Sequence, residues 1–182
     1  MNKYLHMDSS TNLFTHPLVQ HFKSLTFDLE GSNIIVGARD HIVKLSMEDL
    51  NVVEVLEWKV PMASLVRCKS YNFQDCSNYV KLVVVYNDTL LACGSSAHNP
   101  MCTYRSLQHL SSTNNSIPDK GRIPHYPHDQ HTYLMTSEGY LYTSMYIDSM
   151  RQEPLIVKSL LDKKLLYTSK SWVYMLLIII DG

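Results

Sequence analysis

The chain has 182 residues, 45% apolar and 18% charged, which suits one folded domain with a sizeable core and excludes a disordered polymer. Sixteen Lys and Arg stand against 17 Asp and Glu, a formal net charge of −1, so no basic excess argues for nucleic acid as partner. Twelve tyrosines with only six glycines, and no GxGxxG, Walker or HExxH string, set the chain apart from nucleotide-binding α/β enzymes.

Residues 1–21 read as a poorly ordered N-terminal extension. Their basic start is followed by no apolar run, so this chain shows no signal peptide and, taken literally, would be cytosolic. Strand-like pieces follow at 22–27, 34–36 and 41–45, the last alternating so that His41 and Lys44 are expected to face outward. Turn residues separate them at Glu30-Gly31-Ser32 and at Gly37-Ala38-Arg39-Asp40, where Arg39 and Asp40 suit a salt bridge. Residues 46–50 read as one helical turn, and 51–60 (NVVEVLEWKV) as a strand rich in β-branched residues. YVKLVVV at 79–85, the turn Tyr86-Asn87-Asp88-Thr89 and the return from Leu90 to Ala92 have the pattern of a hairpin. Residues 111–131 are polar throughout and read as an exposed connection. A second hairpin, TYLMTSEGYLYTSMY, turns at Ser137-Glu138-Gly139. Residues 155–161 fit helix or strand. WVYMLLIII at 172–180 is too short to span a bilayer and reads as a buried strand. Short strands with a turn every ten residues or so indicate an all-β sandwich, barrel or propeller.

The cysteines at 68, 76, 93 and 102 fall into two pairs with separations of eight and nine. Zinc sites favour the tighter CxxC or CxxxxC knuckles, which aim two thiolates at one ion, and neither spacing occurs. Nothing beside these cysteines marks a catalytic thiol. Two local disulfides, each closing a short loop, suit the spacing. Four buried thiols remain the alternative, and four cysteines permit three pairings, of which proximity favours Cys68 with Cys76 and Cys93 with Cys102. Two N-glycosylation sequons, Asn87-Asp88-Thr89 on the hairpin turn and Asn114-Asn115-Ser116 in the polar connection, add weight to an oxidising compartment.

Several strings, in order, resemble the first part of a sema domain: VGARDHIVKL at 36–45, Trp58, the cysteine at 68, CSNYVKLVVVYNDTLLACGSSAHNPMCTY at 76–104, and EGYLYTSMYID at 138–148. Semaphorins carry similar strings, including Cys-Gly-Thr-x-Ala-Phe-x-Pro-x-Cys. MEDLNVVEVLEW, CTYRSLQHL and EPLIVKSL look closest to the semaphorin class with thrombospondin repeats. The resemblance implies a seven-bladed β-propeller, of which this chain supplies roughly the first two blades and part of a third. On that reading residues 22–170 form an incomplete sema domain and 171–182 a divergent apolar end. It implies the disulfides Cys68–Cys76 and Cys93–Cys102, and Asn87 as a glycan site, with the second sequon putting Asn114 beside it. It also implies an extracellular or cell-surface guidance ligand for axons and migrating cells that binds plexin-type receptors, mainly through later blades, and acts as a homodimer.

The chain departs from the family at Ser95 (usually threonine), at His98 (usually phenylalanine), at Ile123 (often cysteine) and in a short loop between Cys68 and Cys76. Three rival readings follow: the sema domain of a plexin-like receptor, a non-functional truncated product, and a metal enzyme. The metal reading rests on HYPHDQH, where His125, His128, Asp129 and His131 fall within seven residues. Pro124 and Pro127 oppose the helix that would align them, so a solvated loop is expected there. No catalytic residue, metal ligand or cofactor is assigned.

Overall fold

The computed structural model describes residues 13–119, 121–146, 154–160 and 166–167. They form three successive four-stranded antiparallel meanders. Sheet 1 runs in the order β1 (Ser24–Asp28), β2 (Asn33–Ala38), β3 (His41–Ser46) and β4 (Val52–Glu57). A helix, α1 (Met62–Ser70), leads to sheet 2, with β5 (Val80–Tyr86), β6 (Thr89–Gly94), β7 (Met101–Ser106) and β8 (Thr113–Pro118). Sheet 3 follows, with β9 (His131–Met135), β10 (Tyr140–Tyr146), β11 (Pro154–Leu160) and β12 (Leu166–Tyr167). Among the described residues no helix is long and apolar enough to cross a membrane. The apolar run at 172–180 lies outside the described residues.

The sheets stack in series because sheet 2 is apolar on both faces. Ile35, Ile42, Leu56 and Trp58 of the first layer pack on Val80, Val83, Leu90 and Ala92 of the second. The opposite face of sheet 2, with Leu82, Val84, Leu91, Cys93 and Cys102, packs on Leu141, Tyr133 and Met135 of sheet 3. The free face of sheet 1 carries Val36, Val43 and Leu45 and is partly covered by Phe14 and Val19 from the segment before β1, with Val19 3% exposed. Beside them runs an open apolar groove of about 480 Å³, lined among others by Phe22, Leu25 and Ile34.

This double-sided packing explains where the periodicity misleads. His41 and Lys44 do not face outward: they are 9% and 5% exposed. Lys44 keeps its charge solvated by protein, donating to the carbonyls of Leu107 (2.8 Å) and Gln108 (3.3 Å) in the β7–β8 connection and lying 3.7 Å from Glu54. Asp40 does not pair with Arg39; its carboxylate accepts the Asn78 N–H at 2.8 Å. Residues 111–131 are not a bare connection, for β8 occupies 113–118 as the outer strand of sheet 2. Residues 154–160 resolve as strand, held by pairing with β10.

Candidate functional site

Cys68 lies on α1 and Cys76 in the loop after it, and a disulfide joins them with sulfurs 2.06 Å apart. Pro61 precedes the helix, where its fixed φ and missing N–H cost nothing, and Met62, Leu65 and Val66 follow at helical spacing. That signal could have placed α1. It was hidden because only Ser64 and Cys68 are buried, so no broad apolar stripe forms. Cys93 and Cys102 face each other across β6 and β7 as register partners, both fully buried, with sulfurs 2.04 Å apart. Asn87 sits at the tip of the β5–β6 hairpin with φ of 49°, exposed to solvent. Asn114 is the extra residue of a bulge in β8, between the pairs Tyr104–Asn115 and Arg105–Thr113.

The histidine run does not converge. Among the described residues the only trio of metal-type ligands within 4.8 Å is Cys93, Cys102 and Asp119, and its two sulfurs are bonded to each other. His125 is exposed, His128 lies 3.9 Å from the Asp75 carboxylate at the surface, and His131 begins β9 with its ring turned inward. Pro124 and Pro127 exclude a helix, and the segment bends into a turn in which the Asp129 N–H donates to the Tyr126 carbonyl at 3.3 Å, so the imidazoles point to different neighbours.

What the segment does meet is a polar cluster built on β5 and the loop before it. Tyr79 donates its hydroxyl to Asp75 Oδ2 at 2.6 Å, and burial together with that bond pushes the phenol up to about 12. Burial would raise Asp75, but the hydrogen bonds from Tyr79 and Ser77 outweigh it and hold the carboxyl below its ordinary range. Lys81 is 2% exposed and donates to the carbonyls of Tyr126 (3.1 Å) and Asp129 (2.5 Å). Burial lowers its ammonium to about 8. Asn78, fully buried, ties three segments: its amide donates to Trp58 O at 2.9 Å and its carbonyl oxygen accepts Ser96 N–H at 3.0 Å. Asn78, Tyr79 and Lys81 fall in the CSNYVKL string that helps carry the family resemblance, but the string names no partner for them, and a lysine inside YVKLVVV reads as an ordinary strand residue.

Among the described residues the arrangement brings together no nucleophile, base and oxyanion donor set of the kind that chemistry on a bound substrate requires. They belong to a stack of three sheets, with one disulfide inside sheet 2, one joining α1 to the loop after it, and the Asn87 hairpin tip exposed.

No protein-family model matches the chain. Mouse Semaphorin-5A is 35% identical over 141 residues, covering 76% of this chain and 13% of its own length. The chain thus spans about an eighth of the length of the curated relatives it matches. Among solved structures, a chain of Drosophila Plexin A in complex with Semaphorin 1b superposes with a TM-score of 0.65 at 25% identity, covering 76% of this chain and 27% of that one. The extracellular domains 1–2 of Drosophila Semaphorin 1b give 0.68 at 24% identity, over 85% of this chain and 29% of that one, a likeness of fold.

Proposed function

This chain belongs to the semaphorin family as part of a sema domain, and from that premise we propose that it is part of an extracellular guidance ligand. The ligand binds a plexin-type receptor and steers axons or migrating cells. The observation that carries this is the 35% identity to a semaphorin over 141 residues, joined by a likeness to a semaphorin–plexin complex. The three sheets are blades of the propeller, and the open apolar face of sheet 1 suits a further blade closing the ring. No receptor contact is assigned to this chain; its part is to start the ring. No catalytic role is assigned either, in keeping with the scattered imidazoles of 125–131.

A chimera tests the reading. Residues 13–167, exchanged for the matching part of a complete semaphorin, should give a secreted protein that binds a plexin ectodomain within about tenfold of the parent's affinity. A chimera that is secreted and folded but binds no plexin overturns it.

We further propose that Cys68–Cys76 and Cys93–Cys102 form in the secretory pathway and that Asn87 and Asn114 carry glycans. The exposed hairpin tip at Asn87 and the place of Asn114 in a bulge of the outer strand support this reading. In chain made in a secretory host, peptide mass after glycosidase treatment should show both asparagines converted to aspartate. Asn87→Gln should remove one glycan, and an unmodified Asn87 in secreted material would count against the extracellular reading.

A further inference from the structure

Residues 124–131 cross from sheet 2 to sheet 3 and lie as a strap over the polar edge of β5. Lys81 fastens the strap through the Tyr126 and Asp129 carbonyls. The Tyr126 ring stands edge-on to His98, centroids 5.5 Å apart at 73°. His98 in turn stacks on Phe73 at 4.1 Å and 22°, beside the Cys68–Cys76 loop. The His128 ring meets Tyr79 edge-on at 5.6 Å. His98 therefore stands where the strap, the first disulfide loop and the second disulfide loop meet.

Both inward imidazoles are placed as neutral groups. His98 Nε2 lies 3.1 Å from the Asp75 carbonyl, which only accepts, so that nitrogen carries the hydrogen. Its Nδ1 is buried and has no hydrogen-bond partner. A second proton would have to sit there, on a donor facing no acceptor. His131 shares the decisive feature: its ring lies beside Lys81, and its Nε2 is buried without a hydrogen-bond partner. We propose that residues 124–131 form an acid-released strap, closed while His98 and His131 are neutral and opened when they take up protons.

The surrounding charges favour this sign. Facing the strap from β5 and the loop before it are Lys81, Tyr79 and Asp75; the segment before β1 and its first residues bring His21 and Lys23 toward Tyr79, and the β2–β3 turn brings Arg39. The strap itself adds His125, His128 and Asp129. Two carboxylates thus meet the two cations Lys23 and Arg39, with Lys81 as a third below about pH 8, before any imidazole is charged. Burial holds His98 below its ordinary 6.5, helped by repulsion from His125 and His128, and burial with repulsion from Lys81 brings His131 to about 4. Depressed folded values mean that the open form binds more protons, so the closed strap is stable above pH 6.5 and loses ground as pH falls from 6.5 toward 4. At pH 5 the opening equilibrium should have moved by roughly 30-fold for His131 alone.

Hydrogen exchange on the 182-residue chain at pH 7.4 and pH 5.0, expressed as protection against unstructured rates at each pH, reads the strap directly. Amides of 124–131 should lose more than about tenfold in protection at pH 5 while β6 keeps its own. The double variant His98→Phe with His131→Gln should hold the strap closed at both values. Unchanged protection in the native chain, loss spread equally over β6, or a pH response retained in a folded double variant each overturns the proposal. Should the variant fail to fold, an NMR titration of the native chain decides: both imidazoles must titrate below the ordinary value, and either one titrating at or above it overturns the proposal.

Discussion

Replacing Cys93 and Cys102 together by alanine is expected to destabilise the fold by roughly 3 kcal/mol and to lower the unfolding midpoint by about 9 °C. The two residues are separated by nine positions, and closing so short a loop removes roughly 2.7 kcal/mol of freedom from the unfolded chain. Their place in the fold adds to this. They are register partners in the two central strands of sheet 2, fully buried, and they lie in the layer against Leu141 of sheet 3. Two alanines would leave a void where the sulfurs pack, between two sheets that meet mainly through apolar contact. Cys68 and Cys76 offer an instructive contrast. Their loop is equally short, but Cys76 is half-exposed and the bond ties only α1 and its following loop to the edge. The Cys68→Ala, Cys76→Ala pair should therefore free α1 with a smaller loss of global stability. Urea unfolding of the two double variants separates the cases. A loss under about 1 kcal/mol at Cys93 and Cys102 would mean that the inner bond adds little to the pairing of β6 with β7.

The same contrast between inner and outer positions governs how much was legible beforehand. Strands β5, β6 and β10 were plain because runs such as VKLVVV combine β-branched residues with a bounded length and a turn at each end. Alternation failed at β3 because it is an inner strand of sheet 1, apolar on both faces: one packs on sheet 2 and the other is partly covered by Phe14 and Val19. His41 and Lys44 stand where a two-faced sheet would have left them in water, and only the carbonyls of Leu107 and Gln108, more than sixty residues away, make Lys44 tolerable. β8 was missed for the opposite reason. TNNSIP lacks the apolar signal because it is an outer strand paired on one side, and its bulge at Asn114 breaks the period further. Residues 155–161 stayed ambiguous because a short apolar run fits either period, and pairing with β10 decides it.

The candidate site divided in the same way. Sequence proximity pointed to the two cysteine pairs, and turn chemistry marked the tip that carries Asn87. The roles of Asn78 and Lys81 could not be read, because they rest on partners distant in sequence, and the local Asp75–Tyr79 bond sits at a loop–strand junction that no periodicity marks. HYPHDQH was visible as a histidine run, but its meaning was not. Spacing cannot say that His131 turns inward while His128 stays at the surface, and the first of those is what separates a strap from a metal site.

Gly37→Ala is expected to cost about 3 kcal/mol, at the upper end for overpacking, although it adds one methyl group to a strand. Gly37 lies in the VGARD string on β2, buried, at the place where sheet 1 comes closest to β5. A Cβ built there would stand 2.6 Å from the Val80 carbonyl oxygen and 2.8 Å from Val80 Cγ1, and would press on Ser24 Oγ. A side chain can rotate away from such a contact, whereas a backbone carbonyl held in a ladder cannot. Relief therefore requires sheet 1 to move off sheet 2. That movement would stretch the bond in which Ser24 Oγ donates to Val80 O, now 2.8 Å, and would loosen Ile35 and Ile42 against Val80 and Val83. Ser24→Ala gives the comparison: it removes the same hydrogen bond without pushing the sheets apart, and should cost only about 1 kcal/mol. Adding Ser24→Ala to Gly37→Ala removes the contact with Ser24 Oγ but not the one with Val80, so the double variant should recover little. Denaturant unfolding of the three variants measures the difference. If Gly37→Ala were tolerated within about 0.5 kcal/mol, the two blades would not be clamped at this glycine, and the first sheet would be free to shift on the second.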